Sequence, residues 1–432
     1  MYKQILSGGA RGRKRWREFF VTIPLICLSL SFPLGVSAQT KPLKFGMVYP
    51  TSGAMALISE GLIVGHKLAA DEITKTGGFL GRKVEFLLRD DAGNPELTTR
   101  FCRELITKDE VDWLLTGLGS AVGLAGTAVA NEYKKPTFII GGGTEKITTE
   151  EWNPYTFRYR PTCIAEARAM AKIVADEITK EIKNPKIFWI SWDYEYGRSL
   201  HEPFMARLKE LRPDVKVVGE AWPRTGEVDY GPFIGQMLAV KPHLVVNAIW
   251  GGGVVSLLKQ GAARGVWDIS KFISAAEMMG IEYRKALGGN LSVGAWGSTY
   301  DDPSWPLNEG HKKFYKLYSD FIGKPGSEPA GFTFPGYNII HFINKGMQKA
   351  KTSEALTACK AMEGMPLDTY LGAIKIRDFD HQVTSGYIWG PAVKKEGLPY
   401  MVMDGKQMRY VAIEKDLYTK EEWMAKRKAA GK

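Results

Sequence analysis

From Leu43 onward, short apolar runs alternate with longer segments of helical periodicity, and this alternation is what most constrains the fold. Strand-like runs at Leu43 to Tyr49, Val84 to Arg89, Asp112 to Thr116 and Pro136 to Ile140 are separated by helical segments at Gly61 to Thr76, Pro95 to Lys108 and Ala121 to Tyr133. A helical connection of a dozen or more residues brings the next strand back in the same direction, so the pattern predicts parallel sheets covered by helices. A second series begins after Phe157-Arg158-Tyr159-Arg160, with helices at Ile164 to Ile182, Arg198 to Leu211, Phe233 to Val240 and Val254 to Gly265. Its strands are expected at Lys186 to Ser191, Val215 to Ala221, His243 to Trp250, Phe272 to Ala275 and Leu291 to Trp296.

Two such series in a chain of 432 residues exceed what one apolar core usually holds, so two doubly wound α/β lobes in series are expected. After a Gly- and Pro-rich stretch from Gly323 to Gly336, helical runs Tyr337 to Lys349 and Ser353 to Glu363 need a sheet face for their apolar residues. Returning to the first lobe supplies one, and the return makes several segments cross between lobes as a hinge. The expected division is 43–160 with 297–375 for the first lobe, and 161–296 with 376–432 for the second lobe and a C-terminal extension.

The first 38 residues read as an export signal. Basic residues (Arg11, Arg13, Lys14, Arg15, Arg17) precede an apolar run from Phe19 to Phe32, and Val36-Ser37-Ala38 gives a small-x-small cleavage site, so cleavage after Ala38 and a periplasmic protein are expected. The run is short and carries Pro24, and Pro33 follows it, which argues against a membrane anchor; Cys27 makes a poor lipoprotein site because bulky Ile26 precedes it. Removing the signal takes 58 basic and 47 acidic residues to 52 and 46, a net charge of +6 that is too modest and scattered to imply nucleic-acid binding. Cys102, Cys163 and Cys359 then remain, enough for at most one internal disulfide and without CxxC spacing. The histidines are dispersed, and neither HExxH nor Gly-x-Ser-x-Gly occurs, so no enzyme, metal site or cofactor is expected.

Two loops carry the functional signal: Gly117-Leu118-Gly119-Ser120 and Gly141-Gly142-Gly143-Thr144, each following a strand. Ligands of open α/β sheets sit beyond the carboxyl ends of the strands, where glycines let backbone N–H groups approach an anion and a closing hydroxyl adds a donor. A helix starting near Ala121 would turn its positive end toward the same place. The hydroxyls could instead cap a helix and a turn, but capping does not require the glycines.

The chain resembles the periplasmic solute-binding proteins of ABC transporters for branched-chain and related amino acids. The likeness rests on Tyr49-Pro50-Thr51-Ser52-Gly53, the helix from Gly65 to Ile73, Gly77-Gly78, Gly81-Arg82-Lys83-Val84, Arg89-Asp90-Asp91 before Asn94-Pro95, Trp192 to Gly197, and Lys259-Gln260-Gly261. It implies a type I periplasmic fold whose two lobes close on a small ligand and deliver it to a membrane permease, working as a monomer. By that resemblance Ser120 binds the ligand carboxylate at a helix N-terminus, and Gly142 and Thr144 face the polar end of an amino acid. Tyr196 closes over the ligand, Trp250 is an aromatic wall, and Glu277 receives the ammonium. Ala121-Val122 replace a run of hydroxyl residues, Ile58 a pocket aromatic and Ser59 a glycine, while Gly93 and Gly119 stand where some members have a disulfide. The ligand is therefore left open among amino acids, aromatic carboxylates and amides, and a sensing role for a partner receptor is the alternative.

Overall fold

The computed structural model describes residues 41–306 and 308–432; the expected signal segment, its cleavage after Ala38 and Cys27 lie outside the described residues. The first sheet is all parallel, in the order β2-β1-β3-β4-β5. Its strands are β1 (Leu43–Tyr49), β2 (Val84–Asp90), β3 (Trp113–Thr116), β4 (Thr137–Ile139) and β5 (Thr156–Arg158). β1, β3 and β4 are buried along nearly their whole length, which is why they read as continuous apolar runs and not as alternating ones.

Helices α1 (Ala56–Lys75), α2 (Pro95–Thr107) and α3 (Ser120–Tyr133) make the crossovers of this sheet. The start of α2 is set by Asn94, whose side chain accepts from the Glu96 and Leu97 N–H groups, and by Pro95 at a position where no N–H is needed.

The second sheet runs β14-β13-β10-β9-β8-β6-β7, with β15 also on β13. β6 (Lys186–Ile190), β7 (Lys216–Ala221), β8 (Leu244–Asn247), β9 (Lys271–Ser274) and β10 (Trp296–Thr299) are parallel. Among them lie α4 (Cys163–Ile173), α5 (Glu195–Leu211), α6 (Gly231–Val240), α7 (Gly251–Ala263), α8 (Val266–Ile269) and α9 (Ile281–Leu287).

After β10 the chain returns to the first lobe, as the late apolar helices required. α10 (Glu309–Ile322) and α11 (Thr333–Ala350) both pack on α1, and α12 (Ala355–Met362) packs on α11. The α1–α11 crossing is so close that a Cβ on Gly65 would lie 2.2 Å from the Thr333 carbonyl oxygen, and one on Gly336 would lie 2.4 Å from that of Leu62. A small hairpin, β11 (Pro366–Thr369) and β12 (Gly372–Lys375), follows. Then β13 (Tyr387–Val393), β14 (Val402–Met403) and β15 (Arg409–Val411) add an antiparallel edge to the second sheet. The chain thus passes between lobes after β5, after β10, before β13 and again after β15.

Several boundaries differ from the sequence reading. α1 starts at Ala56 instead of Gly61, and α10 was not anticipated, because its only buried side chains are His311 and Phe314 and its pattern is largely polar. The strand expected at Leu291 to Trp296 is β10, which starts where that run ends and carries 297–299 into the second sheet instead of the first lobe. The expected turn-rich end contains β13 to β15. Helix α13 (Lys420–Ala429), placed with the second lobe, sits against the first: Trp423 Nε1 donates to the Thr148 carbonyl at 2.6 Å and Arg427 Nη1 to that of Thr149 at 2.8 Å. Cys102, Cys163 and Cys359 are all buried free thiols. No described helix is long and apolar enough to cross a membrane.

Candidate functional site

The carboxyl ends of β3, β4, β8 and β9 converge on one cavity between the lobes. The first lobe contributes backbone: β3 ends in Gly117-Leu118-Gly119, and Gly119 adopts φ 145°, ψ 158° to bring the chain into α3 at Ser120. A side chain at Gly119 would be strained at that φ, and its Cβ would stand 3.5 Å from the Trp250 ring, which reaches across from the second lobe. Leu118, Gly119, Ser120, Gly141 and Phe332 line the first-lobe side.

Ser120 is 1 % exposed, and its Oγ accepts from the Gly143 and Thr144 N–H groups at 3.2 Å each. A hydroxyl has two lone pairs and one hydrogen, so the Ser120 O–H is left to donate into the cavity it lines.

The second wall is made of side chains. Trp250 ends the segment after β8, and its Nε1–H donates to the Tyr194 hydroxyl. Tyr196, in the first turn of α5, donates its hydroxyl to Glu166 Oε2 at 2.8 Å. Glu277 follows β9 in a turn where Ala276 (φ 61°) and Glu277 (φ 58°) both hold left-handed backbone. Such strain in residues other than glycine persists only where surrounding contacts impose it. Here the Ala276 N–H donates to Glu166 Oε1 at 3.0 Å, which pins the turn.

Between the walls lies Arg160, on the first crossing segment. Its guanidinium sits over the Tyr196 ring at 4.7 Å, bonds Glu277 Oε1 through Nε at 3.0 Å, and bonds Glu166 Oε2 through Nη2 at 2.8 Å. Nη1 is buried and has no partner. Burial alone would lower the Arg160 pKa, but the Glu166 and Glu277 carboxylates overcome this and hold it well above its ordinary value. Burial raises the Glu277 carboxyl; Arg160 opposes that shift, and the Glu166 charge reinforces it. Glu277 Oε1 also accepts from the Tyr387 hydroxyl at 2.6 Å. About 10 Å³ remains between these groups, room for no more than one water, so a larger ligand enters only when the walls part.

Of the expected residues, the structure brings Ser120, Tyr196, Trp250 and Glu277 together on this cavity. Gly142 and Thr144 do not line it. Gly142 is packed inside the first lobe, where an added Cβ would lie 2.5 Å from Ile147. The Thr144 hydroxyl turns away to donate to Glu195 Oε1 at 2.8 Å, and the Lys146 ammonium joins the same oxygen at 2.9 Å, so this loop touches α5 of the second lobe directly.

Sequence reasoning missed Arg160, Glu166, Phe332 and Tyr387. Only Arg160 left a signal, as one of the two arginines in the Phe157-Arg158-Tyr159-Arg160 segment that separates the two strand series.

The periplasmic binding protein family model matches residues 42–396. A Leu/Ile/Val-binding protein homolog 8 from Brucella suis is 26 % identical over 375 residues, covering 84 % of this chain and 88 % of that protein. Among solved structures, an ABC-transporter solute-binding protein from Rhodopseudomonas palustris BisB5, in complex with 3,4-dihydroxybenzoic acid, superposes with a TM-score of 0.75 at 22 % identity, covering 87 % of this chain and 99 % of that one. An ABC-type branched-chain amino acid transporter protein from Rhodopseudomonas palustris CGA009 gives 0.67 at 22 % identity, with coverages of 88 % and 99 %. With its two sheets, its inter-lobe cavity and a family match over most of its length, this chain belongs to the periplasmic binding proteins.

Proposed function

We propose that the protein is an extracytoplasmic receptor that closes its two lobes over a small organic carboxylate with an apolar body and presents it to an ABC-transporter permease. The observation that carries this reading is the buried Arg160 guanidinium, which lines the cavity and has one nitrogen, Nη1, without a hydrogen-bond partner. With the free Ser120 O–H it offers an anion two donors, and hydrogen bonds to a charged group are the stronger kind. Trp250, Tyr196, Phe332 and Leu118 supply the apolar surface. Both ligand classes attached to relatives, benzoate-type acids and branched-chain amino acids, have this chemistry in common. The expected export leader fits a periplasmic setting, and the mass of the exported protein would show whether the chain begins after Ala38.

The test is a thermal-shift screen of benzoates, hydroxybenzoates, hydrophobic amino acids and short uncharged amides, followed by calorimetry. A ligand at about 100 times its dissociation constant adds about 2.7 kcal/mol of stability. Ser120→Ala should weaken the winning ligand roughly 10- to 150-fold, the loss of one hydrogen bond to a charge. A screen in which uncharged amides bind and no carboxylate does would overturn the reading.

A further inference from the structure

One guanidinium, at the cavity wall, stands against two carboxylates, Glu277 on the cavity and Glu166 behind it. Arg160, Glu166 and Glu277 have side chains 3 %, 0 % and 4 % exposed, so water does little to screen them. The other titratable groups facing Glu277 are phenols: Tyr387 on β13, Tyr300 after β10, Tyr196 on α5 and Tyr283 on α9. Burial raises the pKa of each, keeping it neutral. The neighbouring Arg158 is balanced by buried Glu145.

Resting on the carboxylate reading above, we infer that Glu166, which does not line the cavity, sets the charge class of the ligand by giving the closed site one surplus negative charge. A zwitterionic amino acid brings its own ammonium and binds without a change in protonation. A simple carboxylate binds only together with one proton from solvent, which Glu277 takes up. Three carboxylates around one guanidinium repeat the situation in which like charges sharing a site force one of them to protonate.

Glu277 is the acceptor of that proton for a geometric reason. Glu166 accepts from three donors, Arg160 Nη2, the Tyr196 hydroxyl and the Ala276 N–H, spread over both of its oxygens. Glu277 has the Arg160 Nε and the Tyr387 hydroxyl, both on Oε1. Burial already raises its carboxyl toward protonation.

The experiment is calorimetry of benzoate and L-leucine with the full exported protein, in two buffers of different ionisation enthalpy and at several values between about pH 6 and 9. One proton should be taken up per benzoate, with the dissociation constant rising about tenfold per pH unit in the linked range, and none per leucine. In Glu166→Gln, which keeps the size and the acceptor for Ala276, benzoate should bind more tightly and without proton uptake. If neither compound binds, the carboxylate reading fails and this inference with it. If benzoate binds with no proton uptake by the wild type, the inference is overturned while the carboxylate reading stands. Should Glu166→Gln fail to fold, the wild-type proton count still decides.

Discussion

The two walls of the cavity are built from different materials. The first lobe presents backbone at the start of a helix, at Gly119, Ser120 and Gly141, and its interior there is tightly packed. The second lobe and the first crossing segment present long side chains, Arg160, Tyr196, Trp250 and Glu277, locked by hydrogen bonds and ion pairs. A backbone wall is preorganised by the fold itself and resists substitution through lack of space. A side-chain wall is preorganised only while its network is complete, so losing one member exposes the others to the cost of unpaired burial.

That contrast breaks most visibly at Arg160. Arg160→Ala leaves Glu166 and Glu277 buried without a counter-charge and should cost about 3–5 kcal/mol of stability as well as ligand binding, as read by denaturant unfolding near neutral pH. A loss under about 1 kcal/mol would mean that water replaces the guanidinium and that the second wall is not a closed network.

The first lobe carries its own titration. His66 lies between the Tyr49 hydroxyl at 2.9 Å and the Gly336 carbonyl at 2.8 Å, and burial lowers its pKa to about 4. The unfolded chain protonates this histidine below about pH 6.5, whereas the folded one resists until about pH 4, so the contribution is complete above 6.5 and is lost as pH falls through that window. The full loss is about 3 kcal/mol. The stability-against-pH curve of His66→Gln should lack this component; a curve parallel to wild type would show that His66 does not stay neutral in the fold.

Ser120 tests the backbone wall. Beyond its effect on ligand, Ser120→Ala leaves the Gly143 and Thr144 N–H groups without their acceptor and should cost about 1–3 kcal/mol, measurable on the unliganded protein. An unchanged midpoint would indicate that the loop re-pairs elsewhere.

Smallest is the contact between the walls at Glu195, which is partly open to solvent. Glu195→Gln should weaken ligand binding by less than about 1 kcal/mol, because exposed ion pairs rarely contribute more, and should raise the radius of gyration of the unliganded protein by shifting it toward open forms. A tenfold or larger effect on affinity would move Glu195 into the binding machinery.

How much was legible beforehand follows the same division. The Gly117 to Ser120 loop could be read directly, since glycines and a hydroxyl after an apolar strand have a local meaning. Gly142 and Thr144 have the same local look, yet one is consumed by packing against Ile147 and the other by Glu195, partners that a linear pattern does not reveal. Arg160, Glu166 and Tyr387 gave little or no signal because their meaning is relational: Arg160 meets Glu277 across 117 positions and Tyr387 meets it across 110.

The sequence by itself determined the parallel α/β architecture, the presence of two lobes and the backbone half of the site, because hydrophobic periodicity and turn chemistry act over a few residues. The tertiary structure decided the antiparallel edge of the second sheet, the docking of the last helix on the first lobe, and the charge balance of the cavity. Burial and ion pairing depend on which distant side chains are brought within a few ångströms of each other, and only the folded chain fixes that distance.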